Sequence, residues 1–200
     1  MSGKILPFRR PASPPQALPK SLSDEALLSA CSTGDTAALG ELYERFHAVV
    51  YRVLSRLVGA TCPELDDLVQ ATFIEVMRAA GGYQRRASVR TYVLGIASNV
   101  ARHHHRSQHR RMRLSDSLPT DGEPACCPEQ QAVQREFLAR LGQALEDLPH
   151  DLRVAFVMCD LEEIPGVEVA RTLGVPDGTL WRRLHEARRS LRRALSEGSP

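Results

Sequence analysis

The arginines of this 200-residue chain indicate its chemistry most clearly, and that chemistry is the binding of polyanions. The chain contains 24 Arg and only 2 Lys, and guanidinium groups suit bidentate contacts with phosphates and base edges. A GC-rich genome explains the excess equally well, but not its placement. Residues 178–193 contain six Arg and a single acid, Glu186. Apolar residues recur there at helical spacing, at Leu180, Leu184, Ala187, Leu191 and Ala194.

This spacing predicts a helix with one apolar and one cationic face, preceded by a short helix that ends at Gly174 and Pro176. Asp177 is predicted to cap the second helix. Short helix, tight turn and longer helix make a helix-turn-helix, whose second helix enters the major groove of DNA. A solvated charged face is the alternative, but such faces usually mix both signs of charge. The predicted base contacts are Thr179, Arg182 and Arg183, and later arginines are expected on phosphates.

A second basic stretch lies in the middle of the chain. No acid occurs between Glu75 and Asp116, while residues 76–115 hold nine Arg and four His. Such an imbalance is unfavourable on a free helix and favourable against a polyanion. Tyr83 stands close to Arg85 and Arg86 in a predicted loop, a combination suited to single-stranded bases. A basic helix without a nucleic-acid ligand is the alternative.

The histidine and cysteine patterns predict neither a metal site nor a catalytic site. Adjacent helical residues point about 100° apart, so the run from His103 to His105 is not expected to converge on one ion. The five cysteines form no CxxC pair. With no secretory leader and no membrane-length apolar run, we expect a cytoplasmic protein that does not insert into a membrane. No cofactor is expected.

The remaining pattern predicts an all-α fold of two small helical domains. Apolar spacing predicts helices over 36–58, over 64–80 and from Val89 onward. The predicted organisation is a disordered Pro-rich tail (1–22), a first domain (23–113), a flexible linker (114–131) and a second domain (132–197).

Both predicted domains resemble one family, the sigma-70 RNA polymerase sigma factors of the extracytoplasmic-function (ECF) type. Residues 64–76 (ELDDLVQATFIEV) resemble the family's polymerase-binding helix, and residues 88–106 (SVRTYVLGIASNVARHHHR) its promoter-melting segment. Residues 145–195 resemble the C-terminal region with its helix-turn-helix. Two positions depart from the family pattern: Tyr92 replaces the usual Trp, and Ala71 replaces an acid.

The resemblance implies a sigma region 2, a sigma region 4 and a role for each candidate residue. Core-polymerase binding is expected at Asp66, Asp67 and Gln70. Minus-ten promoter DNA is expected at Tyr83, Arg85, Arg86, Ser88, Asn99, Arg102 and Arg106. Minus-thirty-five DNA is expected at Thr179, Arg182, Arg183, His185 and Arg188.

The implied partners are core RNA polymerase, through the clamp helices of its largest subunit and its flap region, promoter DNA and an anti-sigma factor that sequesters the protein at the membrane. A conventional helix-turn-helix regulator, which binds duplex operator DNA without polymerase, is the alternative. A metal-dependent nuclease built on the histidines is disfavoured because the acid-free segment supplies no carboxylates beside them.

Overall fold

A computed structural model describes residues 22–114 and 140–196, and these residues form helices, turns and loops with no β-strand. The predicted all-α class is confirmed. The first domain contains α1 (Asp24–Ser32), α2 (Thr36–Val58), α3 (Leu65–Ala79), a 3₁₀ turn (Ala80–Gly82) and α4 (Val89–Leu114). The second contains α5 (residues 140–146), α6 (His150–Phe156), a π-helical turn (Val157–Leu161), α7 (Gly166–Leu173) and α8 (Asp177–Ser196). Nearly all of the predicted tail and nearly all of the predicted linker lie outside the described residues.

Local signals place the first helices as expected. The Ser23 hydroxyl accepts a hydrogen bond from the Ala26 amide at 3.2 Å and caps α1, and Asp35 caps α2 in the same way. Helix α2 ends at Val58 because Gly59 adopts a φ of +97°, which favours glycine. The apolar positions of α2 are buried against α3 and α4.

The second domain is organised around α8. The predicted stripe is buried at Leu180, Leu184, Ala187 and Leu191, while Ala194 is exposed. Gly174 adopts φ +65° and ends α7, as predicted. Helix α8 begins at Asp177 itself, so this carboxylate lies in the first turn and does not supply the cap. Its negative charge there interacts favourably with the helix dipole.

The two domains pack directly against each other, which the sequence did not predict. One buried apolar cluster joins first-domain residues with Met158, Val169 and Leu180 of the second domain. Helix α7 lies on α4 so closely that a Cβ built on Gly95 would stand 2.3 Å from Thr172 Cγ2. Position 95 therefore requires glycine for this contact.

Candidate polymerase and nucleic-acid interfaces

The outer face of α3 presents the predicted polymerase-binding residues to solvent. Asp66, Asp67 and Gln70 are exposed near the start of α3, whose opposite face is buried in the core. Ile74, one heptad beyond Asp67, is also 50% exposed on this face. Sequence analysis missed Ile74, although an apolar residue on the polar side of the helix was a readable signal. An acidic edge with an exposed aliphatic side chain is suited to contact with another protein.

Tyr83 shapes the loop before α4 instead of projecting from it. Its hydroxyl donates to the Ala87 carbonyl at 2.7 Å, and its ring packs on Tyr92 with centroids 5.1 Å apart. Burial raises the pKa of Tyr83. Tyr92 in turn donates to the Ala79 carbonyl at 2.7 Å and fastens the loop to the end of α3. Base stacking by Tyr83 stays a prediction.

The other predicted residues of this loop face the second domain. Arg85, Arg86 and Ser88 are exposed and line a cavity of about 520 Å³ that α7 closes on its far side. The Ser88 amide donates to Glu168 Oε1 at 2.6 Å across the domain boundary. Burial opposes the charge of Glu168, but hydrogen bonds from Thr91 and Ser88 outweigh it and lower its pKa. The Glu168 carboxylate of α7 therefore lies against the end of this loop, at Ser88.

The remaining minus-ten candidates lie in two other places. Asn99 is exposed in a groove of about 610 Å³ between α3 and α4. Arg102 turns toward the second domain, where its guanidinium donates to Asp151 Oδ1 at 3.0 Å. Arg106 is exposed and lines a neighbouring cavity with α5 and α6. The structure thus does not gather the seven predicted residues on one surface.

On α8, two of the five predicted DNA contacts are ion-paired within the chain. Arg183 donates to Asp151 Oδ2 at 2.6 Å, and Arg188 makes two hydrogen bonds to the Asp160 carboxylate. The spacing along α8 does not reveal these pairs, because the compensating acids come from α6 and the π-helical turn. Arg182 and His185 are exposed, and Thr179 is half-buried.

Asp151 links one predicted minus-ten residue to one predicted minus-thirty-five residue. Its carboxylate pairs with Arg102 of the first domain and Arg183 of the second at the same time. A guanidinium that donates to a carboxylate has fewer free N–H groups for a phosphate or a base edge, and the carboxylate offsets part of its positive charge. Sequence analysis did not identify Asp151, and nothing local in the sequence signals its role.

Glu162 pairs with three arginines of the first domain. Its side chain is 1% exposed and accepts hydrogen bonds from Arg52, Arg56 and Arg90 at 2.6–2.9 Å. Burial raises the pKa of this carboxyl, but the hydrogen bond from Arg52 and the three positive charges outweigh burial and lower it overall. Part of the positive charge of the acid-free segment, that of Arg90, is therefore neutralised by an acid 72 residues away.

His150 lies in the same interface as a neutral imidazole. Its ring contacts His105, with centroids 5.4 Å apart, and its Nε2 lies 3.2 Å from the Ser98 carbonyl. Burial lowers the pKa of His150 to about 4, and the nearby charges of His105 and Arg102 act in the same direction, against Asp151. Protonation of His150 therefore opposes this packing.

Acidification is expected to destabilise the protein through His150. The pKa of His150 in the folded protein lies below its ordinary value of 6.5. The contribution of His150 to stability is therefore complete above pH 6.5 and falls as the pH drops toward 4. Between pH 6.5 and 5 the expected loss is about 2 kcal/mol, measured as the free energy of unfolding in urea. A His150→Gln variant should lose this part of the pH dependence, and an unchanged dependence in that variant would contradict the assignment.

Two family profiles cover most of the described residues. Residues 42–111 match Sigma-70 region 2, and residues 138–191 match Sigma-70 region 4. The chain is 33% identical to the ECF RNA polymerase sigma factor SigM of Mycobacterium tuberculosis over 86% of this chain and 85% of SigM. It is 34% identical to the ECF sigma factor SigE of Mycolicibacterium smegmatis over 84% of this chain and 66% of SigE.

A solved structure shares the fold. CnrH, in complex with the cytosolic domain of CnrY, superposes with a TM-score of 0.63 over 88% of this chain and 99% of CnrH, at 24% identity. Within the described residues no helix is long and apolar enough to span a membrane.

The fold and both profiles define a two-region transcription initiation protein. The chain belongs to the sigma-70 family, in its ECF subfamily, and it is an RNA polymerase sigma factor. The alternative of a conventional operator-binding regulator is not favoured.

Proposed function

We propose that the outer face of α3 binds core RNA polymerase, while the loop before α4, the exposed face of α4 and the helix α8 contact promoter DNA. The observation that carries this proposal is the separation of an exposed acidic edge on α3 from two arginine-rich surfaces. The expected contacts are the clamp helices of the largest subunit for α3, the flap region for the second domain, the minus-ten element for the first domain and the minus-thirty-five element for α8. The polymerase, not this chain, performs the chemistry.

We further infer that the described arrangement is a closed state in which each domain covers part of the other's DNA surface. Glu168 occupies the mouth of the loop at Ser88, and Asp151 holds Arg102 and Arg183 together. DNA phosphates and these carboxylates compete for the same donors. Promoter binding by both regions therefore requires that the domains separate.

The interface has the properties of a contact that can open. Glu162 supplies strong charged hydrogen bonds, yet His150 Nδ1 and Thr172 Oγ1 are buried without a hydrogen-bond partner among the described residues. An unsatisfied buried polar atom costs about 1–3 kcal/mol. Favourable and unfavourable contacts thus offset each other, which suits a switchable contact. We expect the protein to be cytoplasmic and to be held in this closed state by an anti-sigma factor. A membrane-anchored anti-sigma factor would sequester the protein at the membrane.

The proposed function is tested by reconstituted transcription. Purified core polymerase, the full chain and a library of upstream regions from its genome should together yield promoter-dependent transcripts, and core or the chain alone should not. Operator binding by the free chain without affinity for core would contradict the proposal.

The Asp67→Ala variant is expected to weaken binding to core polymerase by about tenfold, equivalent to about 1.4 kcal/mol, because it removes an exposed charge from the proposed contact face. Glu44→Ala is the matched control, since Glu44 is an exposed acid on α2 rather than α3. Affinity is measured with labelled protein and purified core. Equal affinities for the two variants would remove Asp67 from the interface.

A further inference from the structure

The three consecutive histidines of α4 contact three different surroundings. His103 is exposed, His105 Nε2 lies 2.8 Å from the Leu57 carbonyl, and His104 faces the loop between α2 and α3. This divergence agrees with the rotation of about 100° per helical residue. His104 nevertheless meets two other metal-ligand side chains from that loop.

We propose that Cys62, Glu64 and His104 form a zinc-binding site. Cys62 Sγ lies 3.7 Å from His104 Nε2 and 3.5 Å from Glu64 Oε2, and all three ligand atoms lie within 4.8 Å of one another. Zn–S bonds of about 2.3 Å and Zn–N or Zn–O bonds of about 2.0–2.1 Å, at tetrahedral angles, separate the ligand atoms by about 3.5 Å. The two measured separations match this value.

The donor set favours zinc over the hard cations. Zinc accepts soft thiolate, imidazole and carboxylate ligands together, whereas Mg²⁺ and Ca²⁺ prefer oxygen alone. Three protein ligands leave one tetrahedral position open for water or another ligand. Gln108 Nε2 lies 3.1 Å from His104 Nε2, so its side-chain amide lies at the edge of the site.

The loop holds its two ligands in place through backbone contacts. The Cys62 amide donates to Gly59 O at 3.3 Å, and the Leu65 amide donates to Cys62 O at 3.2 Å. Glu64 is the first residue before α3 and makes no side-chain cap hydrogen bond, so its carboxylate is available to a metal. Two successive turns thus present both ligands to α4.

A metal here would act on the proposed polymerase-binding helix. Glu64 directly precedes α3, and Asp66 and Asp67 lie in its first turn. Zinc would join the start of α3 to α4 across 42 residues of sequence. A bound zinc ion would therefore fix the position of the acidic edge of α3 relative to the basic helix α4. The zinc site itself does not depend on the proposed function; only this consequence rests on it.

The test is metal binding by the full reduced chain, measured by Co²⁺ spectroscopy and by competition for Zn²⁺ with a chromogenic chelator. We expect one ion per chain, with the thiolate charge-transfer band and intense visible bands of tetrahedral Co²⁺. Cys62→Ser and His104→Gln should each weaken Zn²⁺ binding by more than about tenfold, since loss of even an outer hydrogen-bond partner costs that much. The matched controls Cys159→Ser and His103→Gln should bind as the natural chain does.

A second measurement keeps the proposal testable where a substitution disturbs folding. In the unaltered chain, Zn²⁺ should slow alkylation of Cys62 by at least about tenfold and leave alkylation of Cys159 unchanged, as followed by peptide mass spectrometry. Absence of stoichiometric binding, or binding that survives both ligand substitutions, would overturn the site. Neither readout depends on polymerase, so their failure is distinct from failure of the proposed function.

Discussion

Loss of promoter-dependent transcription is expected when Gly95→Cys and Thr172→Cys are combined and oxidised. An ideal Cβ on Gly95 lies 3.7 Å from Thr172 Cβ, inside the range of about 3.5–4.5 Å that a disulfide requires. Thr172→Cys also removes the γ-methyl group that a side chain at position 95 would otherwise meet. The bond would fix α7 on α4 and keep Glu168 in front of Ser88.

The expected loss is at least about tenfold in transcript yield, and reductant should restore it because only the disulfide prevents the domains from separating. The Thr172→Cys variant and the natural chain, oxidised in parallel, control for the native cysteines. Quantitative cross-linking with full transcription would show that the domains need not separate.

The second large effect is expected from Glu162→Gln, which should open the closed state. The substitution keeps the shape of the side chain but removes the charge that binds Arg52, Arg56 and Arg90. These arginines are 31–49% exposed, so water can partly solvate them in the variant, and the expected cost is limited to about 1–3 kcal/mol. This corresponds to a shift of about 5–150-fold in the closing equilibrium.

Opening is measured as an increase in the radius of gyration by small-angle X-ray scattering. Glu163→Gln is the matched control, since it makes the same charge change at the next residue, which is exposed. If both variants remain as compact as the natural chain, Glu162 does not hold the domains together.

The local architecture could be predicted from the sequence because its determinants are local. Apolar spacing located α2, α3 and α8, and Gly174 marked the end of α7, since each signal spans only a few residues. The cap at Asp177 was misplaced by one position, which is within the usual ambiguity of helix ends. Trp181 is 51% exposed and lies on Gly166, a contact that spacing alone did not decide.

The contacts between residues far apart in the sequence could not be predicted in this way. Glu162 and Arg52 are 110 residues apart, and Cys62 and His104 are 42 apart, so no periodicity connects them. The acid-free segment showed where positive charge accumulates but not that Arg90 and Arg102 meet carboxylates of the other domain. Charge counting along the chain does not show which arginines are paired with carboxylates and which remain exposed.

We propose that the free protein is closed and that its domains separate when it binds core polymerase. The most direct test uses the combined Gly95→Cys and Thr172→Cys variant and measures the yield of the 95–172 disulfide, free and after saturation with core polymerase. We expect near-complete cross-linking in the free protein and a strongly reduced yield in the complex. Equal yields in both states, with core binding verified, would contradict it.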